Sequence, residues 1–194
     1  QIGAGVRRAA IYRVSVQGAI TVTDNKLDLA VNGNGWFPIL LPSGETAYTR
    51  AGAFQLSSTG TLVTADGYQL QPTITIPANT VDITISASGQ VQAKLDGSPP
   101  VMVGQIQLAN FPSEGSLEAV GNNLYMESVA SGSPTLGNPE NPGYGKLIQG
   151  ALETSNVNIV QEITTLISAQ RAYEMNSKVI KTTDEMMQTT GNLK

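Results

Sequence analysis

A long stretch without helix-breaking residues is the feature that most restricts how this 194-residue chain can fold. Residues 155–190 contain no glycine and no proline, the two residue types least compatible with a helix interior. Ser155 or Asn156 is a suitable N-cap, and Gly191 lies where a C-capping glycine is expected. A helix of about 35 residues would be about 52 Å long. Because this is about three times the mean length of a globular helix, the rest of the chain is not expected to cover it.

The apolar residues of the predicted helix indicate a packing surface. Positions spaced by seven are all apolar, and the column between them is mostly polar, so a strict two-column zipper is not indicated. Instead, the apolar stripe is wider on one side in the first part of the helix, near Ile163. It is wider on the other side in the last part, near Val179. The helix is therefore expected to contact more than one neighbour. The residues predicted to make intermolecular contacts are Ile159, Ile163, Leu166, Ile167, Tyr173, Val179, Ile180 and Met187.

The low charge of this segment favours burial against protein. Only seven charged residues lie from Glu162 to Glu185, so burial would strand few ions. Arg171 and Glu174 are candidates for an ion pair between helices, and a solvated pair within one helix is the alternative. We expect the helix to dock on helices outside this chain. An amphipathic helix folded back on its own domain is the alternative.

The middle of the chain has the pattern of a β-domain. Turn signals such as Gly60, Asp66-Gly67 and Gly89 recur at short spacing and separate short β-prone runs. Residues 81–86 alternate cleanly, which predicts one buried face that includes Val81. Many short strands with frequent turns are typical of all-β domains. The predicted fold is mainly β: an irregular antiparallel β-sandwich or barrel-like domain with an extended N-terminal segment and one long C-terminal α-helix.

Differences in composition predict four regions along the chain. The first is locally basic, because Arg7, Arg8 and Arg13 precede the first acidic residue, Asp24. A solvated edge strand is the expected structure there, and a contact with an acidic neighbour is the alternative. Its apolar alternation includes Tyr12, Val14 and Val16. The predicted regions are an extended β linker segment (1–31), a β-rich domain (32–130), a Gly/Pro-rich connection with a return strand (131–154) and a long helix for assembly (155–194).

The composition excludes several kinds of functional site. The chain has no cysteine and no histidine, which excludes disulfides, thiolate nucleophiles, Cys/His zinc sites, iron–sulfur clusters and Ser-His-Asp catalysis. A net charge of −4 argues against nucleic-acid binding. No stretch approaches the roughly 20 apolar residues of a membrane span. We therefore expect no catalytic residues, no metal, no cofactor and no membrane insertion.

Two other functional classes stay open at this point. A hydrolase would need two carboxylates close together, whereas Asp24, Asp28, Glu114 and Glu118 are expected to be ordinary solvated carboxylates. An adhesion or carbohydrate-binding module would need an exposed aromatic face, whereas such aromatic side chains more often belong to the core. The aromatic residues concerned are Trp36, Phe37, Tyr48, Phe54 and Tyr68.

Several motifs resemble those of bacterial flagellar rod and hook proteins. In the tail they are Glu153-Thr-Ser-Asn-Val-Asn158 and Ala169-Gln-Arg-Ala-Tyr-Glu174. In the β region they are Leu29-Ala-Val-Asn-Gly-Asn-Gly-Trp-Phe37, Ala47-Tyr-Thr-Arg-Ala-Gly-Ala-Phe54 and Gly60-Thr-Leu-Val-Thr64. The resemblance covers nearly the whole chain. Members of that family begin with a helix carrying an Ala-Asn-Asn-Leu-Ala-Asn type of motif, which has no match here, so we expect this chain to lack that helix.

The resemblance implies a structural, non-enzymatic subunit. The stretches Ile74–Ala78 and Asn122–Tyr125 are most similar to those of distal-rod members, with proximal rod or hook-type paralogues as the close alternatives. Such a subunit assembles helically with its own copies and transmits torque from the motor to the hook across the periplasm. The implied partners are further copies, proximal rod proteins, the hook protein and the P- and L-ring proteins. The implied location is the flagellar basal body, reached through type III export.

Overall fold

The computed structural model of the chain describes residues 15–191, with side chains of the C-terminal helix described through residue 188. The predicted strand residues Tyr12 and Val14, and the basic residues Arg7, Arg8 and Arg13, lie outside this described part. The chain divides into two compact units, which meet in the sequence between residues 155 and 156. The first unit is built of strands and the second is a single helix. The mainly β fold with one long C-terminal helix is thus confirmed.

The described residues form sixteen strands, one short 3-10 turn (Glu114–Ser116) and one α-helix. In chain order the strands and the helix are β1 (Ile20–Val22), β2 (Leu29–Asn32), β3 (Phe37–Leu40), β4 (Thr46–Thr49), β5 (Phe54–Leu56), β6 (Leu62–Thr64), β7 (Gln69–Leu70), β8 (Thr80–Ile85), β9 (Gln90–Leu95), β10 (Val101–Gln105), β11 (Leu108–Asn110), β12 (Glu118–Gly121), β13 (Leu124–Met126), β14 (Thr135–Gly137), β15 (Lys146–Gln149), β16 (Ala151–Glu153) and α1 (Ile159–Gly191).

These strands form several small antiparallel sheets rather than one continuous layer. The largest has the order β12-β13-β4-β3-β7-β6-β5, and a second has the order β10-β9-β8. Three two-stranded ribbons pair β1 with β16, β2 with β15 and β11 with β14. Both ends of the seven-stranded sheet are open, so none of the sheets in residues 15–191 closes into a barrel. The barrel-like form of the predicted domain is therefore not realised.

One apolar core joins most of these sheets. Phe37 and Ile39 of β3 pack in the same cluster as Val91 of β9, Leu108 of β11 and Leu147 of β15. Each of these side chains is almost completely buried. A second, smaller cluster is aromatic and consists of Trp36, Tyr48, Ala109, Phe111 and Leu117. Sharing one core gives the short strands the tertiary packing that isolated hairpins lack.

The predicted hairpin at Asp66-Gly67 is confirmed. Gly67 has φ 87°, in the left-handed region that glycine adopts without a Cβ clash. Its N–H donates to the carbonyl of Thr64 at 2.9 Å, and the Thr64 N–H donates to the carbonyl of Tyr68 at 2.8 Å. The turn thus connects β6 and β7, which pair antiparallel.

The predicted burial of Val81 is wrong. Ile85 is buried and Ile83 is partly buried, as the alternation of β8 indicates, but Val81 is 69% exposed. The pairing of β8 with β9 shifts register between Thr80 and Asp82. Val81 therefore lies at an irregularity, where the two-residue period no longer decides which face a side chain occupies.

One predicted surface carboxylate is also in a different environment. Asp28 is buried, and its two oxygens accept hydrogen bonds from the Thr23 hydroxyl at 2.6 Å and the Asn25 amide at 3.0 Å. Glu114 is partly buried, whereas Asp24 and Glu118 are exposed as expected. Asp28 thus orders the turn before β2 through its hydrogen bonds, a role that sequence spacing did not indicate.

A substitution at Gly52 tests how closely the backbone at this residue approaches the backbone of Leu29. A Cβ atom at this position would lie 1.7 Å from the carbonyl oxygen of Leu29, so Gly52→Ala should lower the free energy of unfolding by about 2 kcal/mol or more. Gly115→Ala is the matched control, because nothing lies within 4 Å of its added Cβ. Urea denaturation of both variants measures the difference. Equal stability of the two variants would contradict the close approach.

Candidate subunit interface

Helix α1 begins later than the sequence predicts. Asn158 is its N-cap, because the Asn158 Oδ1 accepts hydrogen bonds from the N–H groups of Val160 at 3.1 Å and Gln161 at 3.2 Å. The predicted caps, Ser155 and Asn156, are therefore wrong. Residue type does not distinguish Ser155, Asn156 and Asn158 as N-caps, because Ser and Asn are both good caps. Only the backbone conformation selects Asn158. The helix extends to Gly191, the last described residue, so the predicted C-capping role of Gly191 stays a prediction.

The eight residues predicted to make intermolecular contacts all lie on α1 and are all exposed. Their exposure ranges from 44% at Ile167 to 77% at Tyr173. So many exposed large apolar side chains on one helix are uncommon on a soluble monomer and mark interaction surfaces. No helix of the described residues is long and apolar enough to cross a membrane. The assignment of these eight residues to an interface stays a prediction.

Four threonines make the polar face of the helix compatible with burial. Each hydroxyl donates to the carbonyl four residues earlier: Thr164 to Val160, Thr165 to Gln161, Thr182 to Lys178 and Thr183 to Val179. A hydroxyl with an internal acceptor costs less to remove from water than an unpaired one. These positions can therefore pack against another chain without a new polar partner.

Arg171 and Glu174 do not pair with each other within the helix. In the described part of the chain, salt bridges join Lys26 with Asp82 and Arg50 with Glu153, so the predicted alternative of an intrahelical Arg171–Glu174 pair is not formed. Both charges remain available for a partner, as the prediction of an inter-helix pair requires. The hydrogen bond from Lys26 lowers the pKa of the Asp82 carboxyl below its usual value, but this pair is exposed and contributes little to stability.

The Arg50–Glu153 ion pair is a structural feature that sequence reasoning missed. Glu153 Oε2 accepts a hydrogen bond from Arg50 Nε at 3.0 Å and lies 2.9 Å from Arg50 Nη2, and both side chains are mostly buried. Arg50 Nη1 also donates to the carbonyls of Gly33 at 2.8 Å and Gly35 at 2.9 Å. Both charged residues lie in motifs that carry the family resemblance, which was the only available signal. Their separation of 103 residues gave no indication of contact.

The aromatic residues belong to the core, so they form no exposed stacking face. Trp36, Phe37, Tyr48 and Phe54 are buried, and Tyr68 is partly buried against the main core. The rings meet edge to face, with Phe37 and Phe54 centroids 5.1 Å apart. Burial, and secondarily the Glu127 carboxylate, raises the pKa of Tyr48 above its usual value. The arrangement removes the observation that would favour a carbohydrate-binding module.

Neither an acidic cluster for a metal ion nor a carboxylate pair in the cleft beside Asn32 is observed in the described residues. No group of three acidic residues in residues 15–191 is placed to hold a metal ion. A shallow cleft of about 610 Å³ is lined by Asn32, Tyr144 and Lys146 among others, with Glu140 as its one carboxylate. Because glycoside hydrolysis in its usual form needs a carboxylate pair, this cleft does not fit that reaction.

Two family models match this chain, one within the β unit and one that includes helix α1. Residues 30–93 match the family model described as the flagellar hook protein FlgE/F/G D1 domain, and residues 148–193 match the flagellar basal body rod FlgEFG protein C-terminal model. The chain is 60% identical to the flagellar basal-body rod protein FlgG of Caulobacter vibrioides, over 100% of this chain and 74% of that protein.

The chain belongs to the flagellar basal-body rod protein family.

More distant relatives agree with this assignment. The rod protein FlgG of Borreliella burgdorferi is 44% identical over 100% of this chain and 74% of its own length. The flagellar hook protein FlgE of Brucella suis is 37% identical, over 61% of this chain and 30% of the hook protein. The chain is thus a structural subunit of the flagellar rod, located in the basal body. The C-terminal family model includes Glu153 and all eight predicted interface residues.

Removal of the helix cap tests the assignment of Asn158. The substitution Asn158→Ala removes the acceptor of two backbone N–H groups and should destabilise the first turn of α1 by about 1 kcal/mol. Circular dichroism of the purified chain should show lower helicity at a given temperature. Asn176→Ala makes the same change at an exposed position inside α1, so it is the matched control and should not lower helicity. Equal helicity of Asn158→Ala and the native chain would contradict Asn158 as the cap.

A buried charge tests the predicted interface. Leu166→Asp places a carboxylate in the apolar row and should abolish rod assembly while the β unit stays folded, because an unpaired charge is costly to bury. Leu166→Asn has nearly the same size as Leu166→Asp but adds no charge, so it is the matched control and should impair assembly less. Electron microscopy of basal bodies gives the readout, with near-ultraviolet dichroism as the folding control. Motile cells with normal rods that carry Leu166→Asp would contradict the interface.

Proposed function

We propose that this chain builds the distal rod, in which copies stack helically into a drive shaft that transmits torque from the motor to the hook. The observation that carries the proposal is the exposed apolar row of α1, at residues such as Leu166 and Tyr173, within the matched rod C-terminal region. Burial of such a row against neighbouring subunits would supply the driving force for assembly. The low charge of the helix keeps the desolvation cost of that burial small.

A long helix also suits the mechanical task of a shaft. Close-packed interiors are nearly incompressible, so bending a bundle of docked helices disturbs many contacts at once. The 33 residues of α1 would extend about 50 Å at 1.5 Å per residue. Axial stiffness would therefore come from α1, with the β unit providing lateral contacts between subunits. When each copy contacts the next through two different surfaces, the assembly forms a ring only if the rotation between copies closes. Otherwise it grows as a helical filament.

The family supports partners within the flagellar axis. Rod and hook family proteins assemble into the basal body with hook and rod proteins. For this chain we propose its own copies, the proximal rod proteins and the hook protein as axial neighbours, and the P- and L-ring proteins around the shaft. The rod would cross the periplasm, and the chain would act without enzymatic activity.

A hook-type role is the second candidate, and the comparisons make it the weaker one. The similarity to the hook protein covers 61% of this chain, whereas the similarity to rod proteins such as that of Caulobacter vibrioides covers all of it. A proximal rod paralogue would share the same architecture. The position of the subunit along the axis therefore distinguishes these candidates.

Site-specific labelling can locate the subunit. The chain has no cysteine, so Ser98→Cys, at an exposed turn beside β10, provides a single attachment point. Cells that produce the full-length variant in place of the native protein should yield basal bodies that carry gold label along the hook-side part of the rod. The cysteine-free protein is the control for background. Label confined to the motor-side part or to the hook would overturn the distal-rod proposal.

A further inference from the structure

The two terminal segments of the β unit leave it side by side. Strands β1 and β16 are antiparallel, with Ile20 opposite Glu153 and Val22 opposite Ala151. The chain enters β1 just before Ile20 and leaves β16 just after Glu153, so both segments lie at the same end of this ribbon. The Thr154 N–H extends the pairing by donating to the carbonyl of Ala19 at 2.8 Å.

This arrangement determines which bonds resist a pull on the terminal segments. When both strands of the ribbon are pulled in one direction, they move together, and the hydrogen bonds between β1 and β16 are not stretched. The force passes instead to the bonds that connect the ribbon to the rest of the β unit. These connecting bonds are therefore the mechanically important ones.

The Arg50–Glu153 pair lies at this connection. The two carboxylate oxygens of Glu153 hold both strands of the ribbon to Arg50: Oε1 accepts from the Gly18 N–H at 2.9 Å, and Oε2 accepts from Arg50. The Arg50 guanidinium continues to the carbonyls of Gly33 and Gly35, in the loop after β2. A single side-chain pair thus links the incoming segment, the outgoing segment and the body of the β unit.

The neighbouring connections are made by neutral groups. Gln17 exchanges two hydrogen bonds with the backbone of Val31 and Gly33, at 2.7 and 3.0 Å, and the Gly150 N–H donates to the carbonyl of Asp28 at 2.8 Å. Charge-assisted hydrogen bonds are roughly twice as strong as neutral ones. Because this site is partly buried, the hydrogen bonds of the Arg50 guanidinium are therefore expected to resist the largest share of the force.

We propose that the Arg50–Glu153 pair is a force-transmitting junction, through which load on the terminal segments of the subunit enters the β unit. Its biological meaning rests on the proposed role in a rotating shaft, since only a subunit under torque needs such a junction. The mechanical claim itself concerns the chain alone. It predicts that loss of the pair weakens resistance to pulling along one direction more than it weakens the fold.

Single-molecule pulling on the purified chain tests the junction. Handles on Ser58→Cys in the β unit and Gln161→Cys in the first turn of α1 load the outgoing segment, which carries Glu153, whereas handles on Ser58→Cys and Ser98→Cys load the β unit without it. Both pairs use exposed positions of a chain without native cysteine. In the first geometry Arg50→Gln should raise the rupture rate at fixed force by about ten- to hundredfold, the factor expected from losing hydrogen bonds to a charged group.

Two further variants sharpen the result. Lys26→Gln removes the other described ion pair, which is exposed, and should leave rupture unchanged. Arg50→Lys keeps the positive charge but loses the planar guanidinium group. Its rupture rate should lie between those of the native chain and Arg50→Gln. An unchanged rupture rate in Arg50→Gln would overturn the junction, as would an equal rise in both pulling geometries. Either result leaves the distal-rod proposal untouched, because that proposal is decided by labelling of basal bodies.

Discussion

The ion pair between Arg50 and Glu153 is the interaction on which the organisation of the β unit depends. It connects residues 103 positions apart and joins the ribbon of β1 and β16 to the loop that precedes β3. Without such a contact the first and last strands would be held to the body mainly by neutral hydrogen bonds. A mostly buried charge also has to be paired, so the pair requires that the two ends of the unit come together in one way.

Much of the fold could be predicted from local pattern. The helix, the Asp66-Gly67 hairpin and the core position of Trp36 follow from interactions between residues close in sequence or from residue type. The failures share a different cause. Val81 lies at a register shift, and Asp28 is buried because Thr23 and Asn25 satisfy it. These outcomes depend on how backbone segments meet in space, which periodicity does not contain.

The predictions for α1 and for the ion pair divide in the same way, into those that follow from local pattern and those that do not. Spacing by seven predicted the exposed row of α1, because one helix face is a local property. It did not predict that the cap is Asn158, since a choice between neighbouring cap residues depends on the chain that enters the helix. Nor did it indicate the Arg50–Glu153 contact, whose partners are 103 residues apart in the sequence. The family resemblance contained both residues, but a motif names residues without saying which of them touch.

The threonines of α1 have a consequence for the subunit before it assembles. A fully aliphatic helix of this length, exposed on a separate chain in water, would aggregate. Threonine offers a hydroxyl to water in that state and a methyl group to a neighbour afterwards. Because Thr164 and Thr182 already bond to their own backbone, the change of environment needs no rearrangement. The same surface is thus compatible with solubility in the free subunit and with dry packing in the finished shaft.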